Sequence, residues 1–133
     1  MDIKYLAEKY KLEHDDFWKC HDNWILTHDA CTKIGHREKI TVFKIESIYC
    51  DENSVRFLIT MVQKDSAGVV INSVTSVGEA DKSNCTSKYL GCMAEKRGRD
   101  RCILKLIKAY EWGIYSEEEA EAFKKEKSTY ENR

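Results

Sequence analysis

The densest chemistry in the chain lies between Met93 and Tyr110, MAEKRGRDRCILKLIKAY. From Glu95 to Lys108 six cations (Lys96, Arg97, Arg99, Arg101, Lys105, Lys108) stand against two anions, Glu95 and Asp100. At roughly 100° per residue, Arg97, Arg101, Lys105 and Lys108 form one narrow stripe, and Cys102, Ile103, Leu106, Ile107 and Tyr110 occupy the other side. Cations one helical turn apart, about 5–6 Å, match the phosphate spacing of an extended strand, so the stripe points to a polyanion. The same pattern also describes the solvated face of an amphipathic helix.

Lys82 and Lys88, in the preceding loop, and Lys96 would extend the row, and Arg56 and Lys64 would form an opposite wall. Trp24 and Tyr89 are large enough to stack on a base or to serve as core and rim. Glu95 and Arg99 fall toward the apolar side, four residues apart. An intrahelical ion pair suits them better than a ligand, because an unpartnered buried charge costs several kcal/mol.

Other chemistries find less support. His21, His28, Cys31 and His36 lie close together beside Cys20, and these are zinc-ligand types, but no pair has finger spacing. A zinc-stabilised module around His28 and Cys31 is therefore the lesser reading, and no metal or cofactor is expected. There is no nucleophile elbow for a thiol or hydroxyl enzyme, no P-loop and no GxGxxG. The carboxylates from Glu117 to Glu121 read as a helix N-terminus favoured by its dipole. A non-catalytic protein is expected.

The elements that must position these residues follow from pattern. Asp2 caps a first helix ending near Glu13, with Ile3, Leu6, Ala7 and Tyr10 on one face. His14 to Trp24 reads as irregular or a short helical turn. Thr27 caps a second helix, His28 to Ile34, with Gly35 as its stop. Three strands follow at Ile40–Cys50, Val55–Gln63 and Val69–Glu79, separated by turn formers at Asp51-Glu52-Asn53 and Asp65-Ser66-Ala67-Gly68. A polar loop, Gly78 to Lys88, leads to the basic helix, where Gly98, Cys102 and Ala109 would allow close approach to a sheet. Gly98 also costs that helix about 1 kcal/mol relative to Ala. Ser116 and Glu119 form a capping box for a last helix to about Lys125.

The expected class is therefore α+β. An antiparallel three-stranded β-meander is covered by a long basic helix in a β-β-β-α core, with two N-terminal helices and a short C-terminal helix. With 133 residues this is one domain. At 42% hydrophobic and 34% charged residues it is globular rather than disordered. A net charge of −1 means that polyanion binding must rest on local asymmetry. The six cysteines show no CxxC pair and read as free thiols. No apolar run reaches membrane length, and the start, MDIKYLAEKY, is charged and periodic rather than signal-like, so a cytoplasmic location is expected.

Three stretches carry a resemblance: WILTHDACTKIGHREKI (Trp24 to Ile40), SVGEADKSN (Ser76 to Asn84) and CMAEKRGRDRCILKLIKAYEWGIYSEEEAEAF (Cys92 to Phe123). In these and in its β-β-β-α order the chain resembles the annealing core of the Rad-fifty-two-like superfamily, and more closely the small phage-encoded single-strand annealing proteins. The likeness covers roughly Trp24 to Phe123. It implies a protein of phage-type recombination that binds single-stranded DNA, pairs complementary strands without ATP, and forms homo-oligomers. It further implies a groove between sheet and helix lined by Arg97, Arg101, Lys105 and Lys108, with Lys96, Lys82 and Lys88. A host or phage replication or recombination protein would be a further partner. The competing reading is a small phage-encoded interaction protein that uses its acidic Glu117 to Glu121 segment to inhibit a host nucleic-acid-dependent factor.

Overall fold

The computed structural model describes residues 2–85, 89–120 and 123. The order is α1 (Ile3–Tyr10), a 3-10 turn (His14–Asp16), β1 (Phe17–Cys20), β2 (Asn23–Leu26), α2 (His28–Arg37), β3 (Ile40–Cys50), β4 (Ser54–Lys64), β5 (Val70–Asp81), α3 (Leu90–Leu106), a second 3-10 turn (Ala109–Trp112) and β6 (Ile114–Ser116). Residues 117–120 are helical.

The expected α+β meander is present. β3, β4 and β5 form an antiparallel sheet in that order, and α3 packs on it. Local chemistry accounts for its turns. Asp51 Oδ1 accepts the N–H groups of Asn53 and Ser54 at 2.7 and 2.8 Å. Asp65 Oδ1 accepts those of Ala67 and Val69 at 2.9 and 3.0 Å, and Gly68 takes the left-handed φ of 82° that closes this second turn. Alternation along β4 turns Val55, Ile59 and Met61 inward, where all three are buried, while Arg56 faces outward and is exposed.

α3 lies over β4 and β5 rather than over β3. Its approach to β5 depends on two facing glycines. A Cβ built on Gly78 would stand 2.0 Å from the carbonyl oxygen of Ala94, and one on Gly98 would stand 2.5 Å from Ile59 Cδ1. The close approach expected at Gly98 is thus made. The main core gathers Leu6, Leu26, Ile34, Ile59, Cys102, Leu104 and Ile114 from six elements, all fully buried. Each buried aliphatic side chain of this kind contributes about 1.5–3 kcal/mol.

Four expectations need correction. α1 stops at Tyr10 rather than near Glu13, because Lys11 turns left-handed at φ 53°. α2 continues past Gly35 to Arg37, and Gly35 is buried against Ile103 instead of ending the helix. α3 starts earlier and ends earlier than Met93 to Tyr110, with Lys108 left-handed at φ 60° just beyond it. The segment after α1 opens with a short helical turn, one of its two expected readings, at His14–Asp16, but continues as strand rather than irregular chain. β1 and β2 form a hairpin and β6 adds to β2 in parallel, giving a second three-stranded sheet. Of the three expected caps two are made in full and the Ser116–Glu119 box only by half: the Ser116 N–H donates to Glu119 Oε2 at 3.3 Å, the buried Ser116 Oγ finds no partner among the described residues, and the expected helix end near Lys125 lies outside them. Asp2 Oδ1 accepts the Tyr5 N–H at 2.8 Å, and Thr27 Oγ1 accepts the Ala30 N–H at 3.1 Å.

Candidate nucleic-acid interface

The expected stripe divides into an engaged half and an exposed half. Arg97 and Arg101 do not face solvent from the outside of α3; they lie over the free edge of β5. Arg97 donates to the carbonyl of Glu79 at 3.0 Å and to Asn84 Oδ1 at 3.0 Å. Arg101 donates to the carbonyl of Val77 at 2.5 Å. The geometry is a match of repeats. Four helical residues rise about 6 Å and two strand residues about 6.6 Å, so arginines at i and i+4 meet edge carbonyls at j and j−2 of an antiparallel neighbour. Capping of this kind closes an edge that would otherwise offer unpaired backbone groups.

Glu118 supplies the counter-charge. It pairs with Arg101 and, at 3.8 Å, with Arg97 Nε. The three side chains are only 13–21% exposed. Burial pushes the Glu118 carboxyl above its ordinary range, with Arg101 and Arg97 pulling the other way. The adjoining glutamates are engaged as well. Glu117 Oε1 accepts the His28 N–H at 3.1 Å, and Glu119 accepts the Tyr110 hydroxyl at 2.7 Å. The acidic segment is therefore a clasp that ties residues 117–120 to α2, α3 and the second 3-10 turn, not a row of anions open to a basic partner. Glu121 lies outside the described residues.

Of the other candidate cations, Lys105, Lys108 and Lys82 are exposed and Lys96 is half-buried. Lys88 lies outside the described residues. Arg56 and Lys64 do not form a wall opposite α3. Arg56 is on the far face of the sheet, 3.6 Å from Glu79, and Lys64 is at the far end of β4. Trp24 is half-buried, edge-on to Phe17 at 5.8 Å, so it serves the small sheet. Tyr89 is 63% exposed. Glu95 and Arg99 form the expected i,i+4 pair at 2.5 Å.

What the structure brings together instead is a groove of about 460 Å³ where α1 meets the end of α3. Tyr5 and Trp112, 50% and 53% exposed, line it together with Lys9 and Lys108 over a floor of Leu106 and Ile107. Glu38 is also present, but it accepts the Tyr10 hydroxyl at 2.6 Å and Gln63 Nε2 at 2.9 Å and pairs with Lys9 at 3.4 Å. Lys9 lies over the Tyr5 and Tyr10 rings, 5.8 and 5.3 Å from their centroids. Lys108 reaches this groove because the chain turns left-handed there and leaves the helix axis. Sequence reading missed Tyr5, Lys9 and Trp112. The signal available was Tyr5 and Lys9 at i,i+4 on the polar side of α1.

A second polar cluster joins α2 to α3. His28 Nδ1 is 2.7 Å from Asp100 Oδ1. Burial pushes the Asp100 carboxyl up to about 6, with His28 opposing the shift. Cys31 is fully buried and its thiol is pushed up by burial, so it acts as a small apolar core residue rather than a nucleophile. Among the described residues no three His, Cys, Asp or Glu side chains come together as a metal site. No helix among them is long and apolar enough to cross a membrane. No family model, curated protein or solved structure matches the chain.

Proposed function

We propose that this protein binds single-stranded DNA in the groove formed by Tyr5, Lys9, Lys108 and Trp112, and that it pairs complementary strands without ATP as part of phage-type recombination. One observation carries the binding. Two half-exposed aromatic rings share one groove with two lysines above an apolar floor, the combination that lets bases stack while phosphates are neutralised. Lys105, exposed one turn before Lys108, lengthens the positive track. Annealing is supported by the resemblance across Trp24 to Phe123 and by the absence of any nucleotide cradle in the sequence. The groove differs from the one the resemblance implies, because Arg97 and Arg101 are committed to the β5 edge.

The test is titration of a labelled oligo-dT by anisotropy between ~50 and ~200 mM salt. Two to three neutralised phosphates give a log–log salt slope of roughly −2 on a single strand. Trp112→Ala should weaken binding five-fold or more, since one stacked base contributes about 1–3 kcal/mol. Lys108→Ala should make the slope shallower by about 0.7. Affinity unchanged in both variants would overturn the groove. Failure to accelerate pairing of complementary dye-labelled strands would overturn annealing while leaving binding intact.

A further inference from the structure

The two edges of the meander are treated differently. The β5 edge is closed at Val77 and Glu79 by Arg97 and Arg101. Among the described residues none covers the β3 edge in this way: every residue from Phe43 to Cys50 is exposed, and Phe43, Ile45, Ile48 and Tyr49 are 71%, 41%, 54% and 51% exposed. An edge strand of 11 residues whose stretch from Phe43 to Cys50 is exposed and partly apolar is a template for another strand.

We propose that this edge pairs with the same strand of a second copy, antiparallel about a two-fold axis through Ile45, joining two meanders into one six-stranded sheet.

The charges choose the occupant and the register. Bulges lie between Val42 and Lys44 and between Ser47 and Tyr49, so regular pairing is available from Lys44 to Ser47. A two-fold axis normal to the sheet must place like faces opposite each other, so it passes through a residue, not between two. An axis through Lys44 would set two lysines face to face, and one through Glu46 two glutamates. An axis through Ile45 sets Lys44 opposite the partner's Glu46 and Glu46 opposite the partner's Lys44, with the two Ile45 side chains in contact on the helix side. Lys44 and Glu46 already share one face, with Nζ and Oε1 2.5 Å apart, and both are exposed at 59% and 46%. The charge pattern of this edge is thus complementary to itself in one register.

The experiment is sedimentation of the full chain over a concentration series, on the parent, Lys44→Glu, Glu46→Lys and the double variant K44E/E46K. Both substituted positions are exposed, and circular dichroism checks the fold. A monomer–dimer equilibrium is expected. Each single reversal places like charges opposite each other twice, by symmetry, and should raise the dimer Kd roughly ten-fold. The double variant should return it toward the parent value. In a C50S/C92S background, Ile45→Cys should oxidise to a covalent dimer. A parent that stays monomeric at every concentration would overturn the proposal. So would an assembly indifferent to the single reversals, which would place the contact elsewhere, such as the exposed start of β5.

Discussion

Replacing Glu118 by Gln distinguishes a structural role for the two arginines from a ligand-binding one. Glu118 is the shared counter-charge of Arg97 and Arg101, and each of the three side chains is roughly four-fifths buried or more. Removing one partner of a fully buried ion pair costs about 3–5 kcal/mol, whereas an exposed pair contributes about 0–1 kcal/mol. This cluster lies between those limits but nearer the first, and one carboxylate serves two guanidinium groups. The edge carbonyls of Val77 and Glu79 still accept hydrogen bonds in the variant, which softens the loss. Burial also holds the Glu118 carboxyl above its ordinary range, which disfavours the charged form and offsets part of that loss, so the expected net cost is about 1 kcal/mol. Urea unfolding followed by tryptophan fluorescence reads it. With a slope of about 1–3 kcal/mol per molar, the midpoint should fall by about 0.3–1 M at unchanged slope. Arg101→Ala should lose stability on a similar scale while folded protein keeps its oligo-dT affinity. If Glu118→Gln moved stability by less than about 0.5 kcal/mol, as an ordinary surface substitution does, the arginines would not need their clasp. If Arg101→Ala also lost oligonucleotide binding at full stability, they would be the phosphate contacts that their spacing first suggested.

Gly78→Ala should destabilise by about 3 kcal/mol or more in the same urea assay, because its Cβ meets the Ala94 carbonyl and neither backbone can turn aside. Gly91→Ala, in α3 with nothing near its Cβ, should instead be stabilising by up to about 1 kcal/mol. Asp100 has its carboxyl raised from 3.8 to about 6, chiefly by burial, so the folded state holds a proton that the unfolded chain releases. Its contribution is therefore fully present below about pH 3.8 and is lost as pH rises through about 6. Asp100→Asn should gain on the parent by up to about 3 kcal/mol between those limits, read as a widening Tm gap; a constant gap would refute the assignment.

Much of the scaffold was legible because it rests on local chemistry. Asp2 and Thr27 cap their helices through their own side chains, the Asp51 and Asp65 turns close through theirs, and Ile40–Cys50 is long enough for β-branched residues and alternation to mark a strand. Glu95 and Arg99 meet because a helix brings i and i+4 together wherever it lies. The small sheet left no such mark. β1 and β2 have four residues each and β6 has three, too short for a period to show, and β6 joins β2 from about ninety positions away.

Composition and spacing alone determined that Arg97, Arg101 and Lys105 would share one side of a helix beside a three-stranded sheet. They did not determine what that side would face. Only the tertiary structure set α3 antiparallel to β5 at glycine-to-glycine distance, so that two arginines met two edge carbonyls and a glutamate from the end of the chain. A guanidinium at helical spacing carries the same charge whether a phosphate or a strand edge lies before it. The choice belongs to the packing of distant segments, and that packing also brought Trp112 and Lys108 beside Tyr5 and Lys9.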